Sequence, residues 1–133
     1  MELVAIGAVE STLKDRADAP KQGDEGAPEA WLAFVPSVAA GLDGIAAGDQ
    51  LLVLTWLDRA RRDVLRVIPR SDPANPETGV FSTRSPDRPN PIGLHRVTVL
   101  EVDGLRVRVD ALEALDGTPV VDVKPVLRSI PER

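Results

Sequence analysis

The chain has 133 residues, 43% of them apolar and 28% charged, the balance of one soluble globular domain with a single modest core. A net charge of −5 argues against a general nucleic-acid binder, and the absence of cysteine excludes disulfides, thiolate metal sites and cysteine nucleophiles. With one histidine, His95, a multi-histidine metal centre is excluded as well, and no metal site is expected.

In chain order, ELVAIGAVE (2–10) reads as a first strand, its β-favouring residues flanked by polar ones. Residues 11–29 are polar and broken by Pro20, Gly23, Gly26 and Pro28, which predicts a loop longer than a connector needs. WLAFVP (31–36) is a second strand, and 37–49 holds short helical turns with Ser37 as N-cap. QLLVLTWLD (50–58) is a buried central strand, and DVLRVIP (63–69) is a strand with one solvated face. Residues 70–79 form a loop, VFSTR (80–84) a short strand, and SPDRPNP (85–91) neither helix nor central strand, because its prolines lack the donors both require. From Leu94 the apolar/polar alternation runs to Asp103-Gly104 and resumes through LRVRVDALE, a hairpin signal. LDGTP (115–119) is a tight turn before a last strand, 120–126. About seven strands with hardly any helix predict an all-β fold, a single small closed or nearly closed β-barrel spanning 1–133, since an open sheet of that size would leave unpaired edges. No apolar run approaches the ~18 residues of a membrane span and no leader-like segment opens the chain, so a cytoplasmic location without a membrane partner is expected.

Charge is unevenly spread. Residues 59–96 carry eight arginines against four acidic groups, whereas residues 1–58 carry three basic and ten acidic ones. Arginine suits bidentate contacts with phosphate or carboxylate, although a solvated face of local ion pairs to Asp58, Asp63 and Asp87 would look the same. The run GVFSTRSPDRPNPIGLHR (79–96) is stiffer than a connector requires, with Pro86, Pro89 and Pro91 around Asn90 and with Arg84 and Arg88 four residues apart. Such rigidity lowers the entropy lost on binding a ligand.

These two motifs, GVFSTRSPDRPNPIGLHRVTVL and LEALDGTPVVDVKPVL, resemble the TrmO (YaeB/TsaA-like) family of S-adenosylmethionine-dependent β-barrel tRNA methyltransferases, which methylate N6 of threonylcarbamoyladenosine at position 37 of tRNA. The likeness extends more weakly to IGAVES, APKQGDEG and GLDGIAAGDQLLVLTWLDRA, so nearly the whole chain is covered. It implies a pocket for S-adenosyl-L-methionine shared among Pro20, Lys21 and Gln22 of the first long loop, Leu57 and Asp58 after the central strand, Arg84 and Leu94, and Leu115, Asp116, Gly117 and Thr118. Apolar walls would suit the adenine, a carboxylate such as Asp116 the ribose hydroxyls, and a cation such as Arg84 or Lys21 the methionine carboxylate.

The chain departs from the family pattern where Lys21 replaces an arginine, Asp58 stands where many relatives have histidine, and His95 where many have serine. Many bacterial members also continue into a C-terminal extension. A sulfonium methyl is already activated, so alignment and exclusion of water carry most of the catalysis, and no metal or covalent nucleophile is needed. The acceptor nitrogen is a weak nucleophile, which leaves Asp116, Asp58 and His95 as candidates for a base. Arg61, Arg62 and Arg88 would meet anticodon-loop phosphates, and the resemblance implies a homodimer. Two alternatives stay open, a methyltransferase of the same fold acting on a small molecule or another RNA, and a non-catalytic S-adenosylmethionine-binding module.

Overall fold

The computed structural model describes residues 1–19, 26–69 and 72–127. Its strands are β1 (Gly7–Glu10), β2 (Ala30–Phe34), β3 (Gln50–Trp56), β4 (Arg66–Val67), β5 (Thr78–Gly79), β6 (Ile92–Asp103), β7 (Arg106–Val109) and β8 (Pro119–Pro125). Short 3-10 turns at Arg16–Asp18, Pro36–Leu42 and Val80–Ser82 supply the helix. Six strands pair antiparallel in the order β1-β2-β7-β6-β3-β8, and β8 pairs back with β1, so the circuit closes and leaves no edge. The alternation read from the sequence sets which face is inside. Val9, Leu32, Phe34, Leu51, Val53, Val97, Val99, Val107, Val109 and Val120 point inward and are joined by Leu112 and Ala114 from the connection after β7.

Four sequence expectations are corrected. The first strand begins at Gly7, and Leu3 and Val4 are exposed, because Pro36 follows so soon after β2 that no partner remains for residues before Ile6. The 63–69 segment contributes only a two-residue pairing with Thr78–Gly79, away from the main sheet, and its Leu65 and Ile68 are exposed. The 80–84 segment, expected as a strand, instead holds a 3-10 turn at Val80–Ser82, closed by the Thr83 N–H and hydroxyl on Val80 O. Ser37 lies within the turn that Pro36 starts, and no side chain caps it.

Register fixes the two ends of the sheet. Trp56 lies opposite Ile92, Ala30 opposite Val109, Glu10 opposite Trp31, and Ala8 opposite Pro119. Connections 11–29, 57–91 and 110–118 therefore all leave from one end, the mouth, while the opposite end carries 35–49 and the 104–105 turn. Among the described residues no helix is long and apolar enough to cross a membrane.

Candidate functional site

The three mouth connections are stitched together by polar contacts that run in order. Asp116 accepts from the Ser11 N–H through Oδ1 (2.9 Å) and from Lys14 Nζ through Oδ2 (2.8 Å), while its own N–H donates to Leu13 O. Gly117 takes φ +83°, the left-handed region that glycine enters without a Cβ penalty, and its N–H donates to Val9 O. The Thr118 hydroxyl donates to Leu115 O at 2.7 Å and closes the turn internally. From Lys14 the chain of contacts continues, since Lys14 O accepts from Arg59 Nη1 and Arg59 O accepts from Arg16 Nη1. Arg16 Nη2 also reaches Asp87, whose Oδ1 accepts the Arg61 N–H. The Asp116 carboxyl is held below the ordinary carboxylate range, chiefly by the hydrogen bond from the Lys14 ammonium and then by the Ser11 N–H, with the Lys14 and Arg59 charges adding to this against a small cost of burial.

The residues expected to hold the cofactor divide into four groups. Leu115 and Thr118 are buried in the mouth turn with Asp116 and Gly117 beside them, and Leu57, whose N–H donates to Pro91 O, brings its side chain against Gly93. Asp58 and Arg84 lie on the same mouth connection, are exposed, and make no side-chain hydrogen bond with the described residues. Leu94 is placed differently. It sits within β6, opposite Leu54, and is 39% exposed on the outer face, because the period-2 alternation that points His95 inward turns Leu94 outward. Pro20, Lys21 and Gln22 lie outside the described residues.

The three arginines expected to meet phosphate are engaged with the protein itself. Arg88 is the most committed, donating to Ser85 O (2.8 Å), Val80 O and Thr83 O (both 2.6 Å), so it braces its own loop. Arg62 donates to Pro89 O and Asn90 Oδ1 and stacks its guanidinium over Trp56. Arg61 pairs with the exposed Asp63, which raises the guanidinium pKa and lowers that of the carboxyl, an exchangeable contact worth little.

Beneath the mouth lies a polar chain inside the sheet. Thr55 Oγ1 is 2.7 Å from His95 Nε2, and His95 Nδ1 is 2.6 Å from Glu113 Oε1. His95 is only 4% exposed and both ring nitrogens are occupied, so it does not itself reach a ligand, whereas the Glu113 side chain keeps 14% exposure. Glu113 escaped the sequence reading. The signal that finds it is a lone histidine at an inward-facing strand position, since a buried imidazole requires polar partners on both nitrogens. A second feature is an open cleft of about 450 Å³ beside the mouth, bounded by Trp31, Arg106, Arg108, Lys14 and Asp116. Arg106 stacks 4.3 Å from the Trp31 ring and pairs with Glu10, while Arg108 pairs with Glu29 and Glu101.

A closed antiparallel sheet whose 11–29, 57–91 and 110–118 connections converge on one mouth, with a glycine turn, an anchored carboxylate and an arginine without a partner among the described residues there, defines a small all-β ligand-binding domain. Residues 8–131 match the tRNA-methyltransferase O N-terminal domain, and the chain belongs to that family. It is 47% identical over 124 residues to an S-adenosyl-L-methionine-binding protein of Archaeoglobus fulgidus, covering 93% of this chain and 88% of that protein. A second protein of that organism, named a probable S-adenosyl-L-methionine-binding protein, is 45% identical over 130 residues, yet this chain spans only 35% of its length. Crystal structures of TrmO are similar, one from Pseudomonas aeruginosa with a TM-score of 0.78 and 25% identity, another with 0.79 and 26%. Each is covered across 100% of this chain, which spans 58% and 60% of theirs.

Proposed function

We propose that the chain is an S-adenosyl-L-methionine-dependent methyltransferase whose acceptor is N6 of threonylcarbamoyladenosine at position 37 in the anticodon loop of tRNA. The observation that carries the reading is the convergence at one mouth of the 57–91 and 110–118 connections, which hold the two family motifs. The donor set there suits the cofactor's chemistry. Leu57 and Leu115 offer apolar walls to the adenine, Asp116 keeps lone pairs for the ribose hydroxyls, and the bare backbone of Gly117 allows close approach. Arg84, exposed and without a partner among the described residues, is the cation for the methionine carboxylate, and Asp58 is an acceptor for its ammonium. When bound, the cofactor supplies a methyl group already activated on a sulfonium. The chain's task is then to orient the acceptor and exclude water. The same proposal includes a cytoplasmic location, and a homodimer in which Ile92 and Leu94, exposed on the outer face of β6, are the apolar surface offered to the second copy.

Titration calorimetry with S-adenosyl-L-methionine tests the site. The parent chain should bind, and Arg84→Ala should weaken binding by about 1.5–3 kcal/mol, the worth of a charged hydrogen bond. An unchanged dissociation constant removes Arg84 from the site. A second reading, transfer to a smaller acceptor, is favoured by one observation: Arg62 and Arg88 spend their donors on Pro89, Asn90, Val80, Thr83 and Ser85, which leaves few for phosphate. Methylation of a small acceptor but not of tRNA by the same preparation would select it.

A further inference from the structure

The buried chain Thr55, His95 and Glu113 is used by nothing described so far. We propose that Glu113 is the base that takes the proton from the acceptor nitrogen, with His95 as the positioning residue behind it. The inference rests on the methyltransferase reading. Methylating an N–H nitrogen leaves a proton that must go to a group at the mouth. The nitrogen lone pair forms the new N–C bond, the C–S bond breaks with its electron pair left on sulfur, and the N–H proton passes to a carboxylate oxygen. Three earlier candidates serve less well. Each oxygen of Asp116 already accepts one hydrogen bond, from Ser11 or from Lys14, and its remaining lone pairs serve the ribose hydroxyls. His95 is enclosed with both nitrogens occupied. Asp58 is exposed and nothing among the described residues orients it.

Glu113 meets the requirements these residues miss. It sits on the mouth connection two residues before Leu115, its Oε1 is fixed by His95 at 2.6 Å, and its Oε2 has no hydrogen-bond partner among the described residues. The Glu113 side chain keeps 14% exposure, so the carboxylate is not sealed in the core. The order of the chain is set by its ends. A carboxylate only accepts, so Nδ1 carries a proton and donates to Glu113, while Nε2 is held by the Thr55 hydroxyl. The imidazole is thereby held in one orientation between its two partners, and the carboxylate is aimed by it. Gly93 permits this arrangement, because a Cβ there would overlap Thr55 Oγ1 and stand 2.7 Å from His95 Nε2.

The test combines a measurement on the ligand-free chain with two on variants. Nitrogen-15 NMR of the single imidazole should show Nδ1 protonated; a ring with no proton on Nδ1 overturns the proposal. Glu113→Gln keeps an oxygen for His95 but no base, so S-adenosyl-L-methionine affinity should stay within about twofold while single-turnover transfer to tRNA falls on the order of 10²-fold or more. Retained transfer by this variant overturns the role of Glu113 and leaves the methyltransferase reading intact. If the variant loses cofactor affinity as well, Glu113→Ala decides: restoration of transfer by added formate supports a base, and no restoration overturns it. A parent chain that binds S-adenosyl-L-methionine but transfers to no tRNA overturns the underlying reading, and this proposal with it.

Discussion

Single residues at the mouth are constrained by their neighbours more than by their own chemistry. Gly93 is the sharpest case, a glycine in mid-strand whose hydrogen atom faces the Thr55–His95 contact. Gly93→Ala should cost about 2–4 kcal/mol, from overpacking plus a broken buried hydrogen bond, read as a lower urea midpoint. Asp116 gives a pH signature. Its folded-state pKa is depressed, so the charged carboxylate contributes stability that is fully present above the unfolded value of ~4 and is lost as pH falls through the lower folded value. Asp116→Asn should therefore be less stable than the parent at neutral pH, and the gap should close as the solution is acidified below ~4. A gap that persists at pH ~2 would assign the effect to geometry and not to charge. The residue types of the mouth turn were legible in LDGTP, but its partners were not, because Ser11 and Lys14 lie more than a hundred positions away and only sheet closure brings them near.

At the scale of elements, alternation was a faithful guide where a strand is paired on both sides and a poor one where it is not. The β6–β7 hairpin was readable, since Val97, Val99, Val107 and Val109 alternate with polar residues about Asp103-Gly104. DVLRVIP alternates as well, yet only Arg66 and Val67 pair, because the prolines at 69, 73 and 76 deny the segment a ladder and no main-sheet strand has a free side to offer. Leu94 illustrates the same limit within a correct strand, where one register step separates the inner wall from the outer. The 80–91 loop is organised by Arg88, whose guanidinium gathers three carbonyls. Arg88→Ala should cost about 1.5–3 kcal/mol in chemical denaturation, while the salt dependence of any tRNA binding should stay as in the parent. A flattened salt slope with unchanged stability would return Arg88 to the phosphate contacts.

For the molecule as a whole, the closed circuit of six strands does two things. It removes sheet edges, and it sends the connections 11–29, 57–91 and 110–118 to one end while 35–49 and the 104–105 turn lie at the other. Strand count and loop lengths pointed to a closed all-β fold, but which loops share an end depends on strand order, which local sequence does not encode. The arginine excess of residues 59–96 was visible as charge; that so much of it is spent on bracing loops became visible only with the side chains in place. The activity proposed for this mouth is methylation of a modified adenosine in tRNA. Incubating the purified chain with S-adenosyl-L-methionine and tRNA from cells lacking the endogenous activity, followed by mass spectrometry of the nucleosides, tests it most directly. One added methyl group on N6 of threonylcarbamoyladenosine, absent without the cofactor, is the predicted result; unmethylated threonylcarbamoyladenosine alongside demonstrable cofactor binding would contradict it.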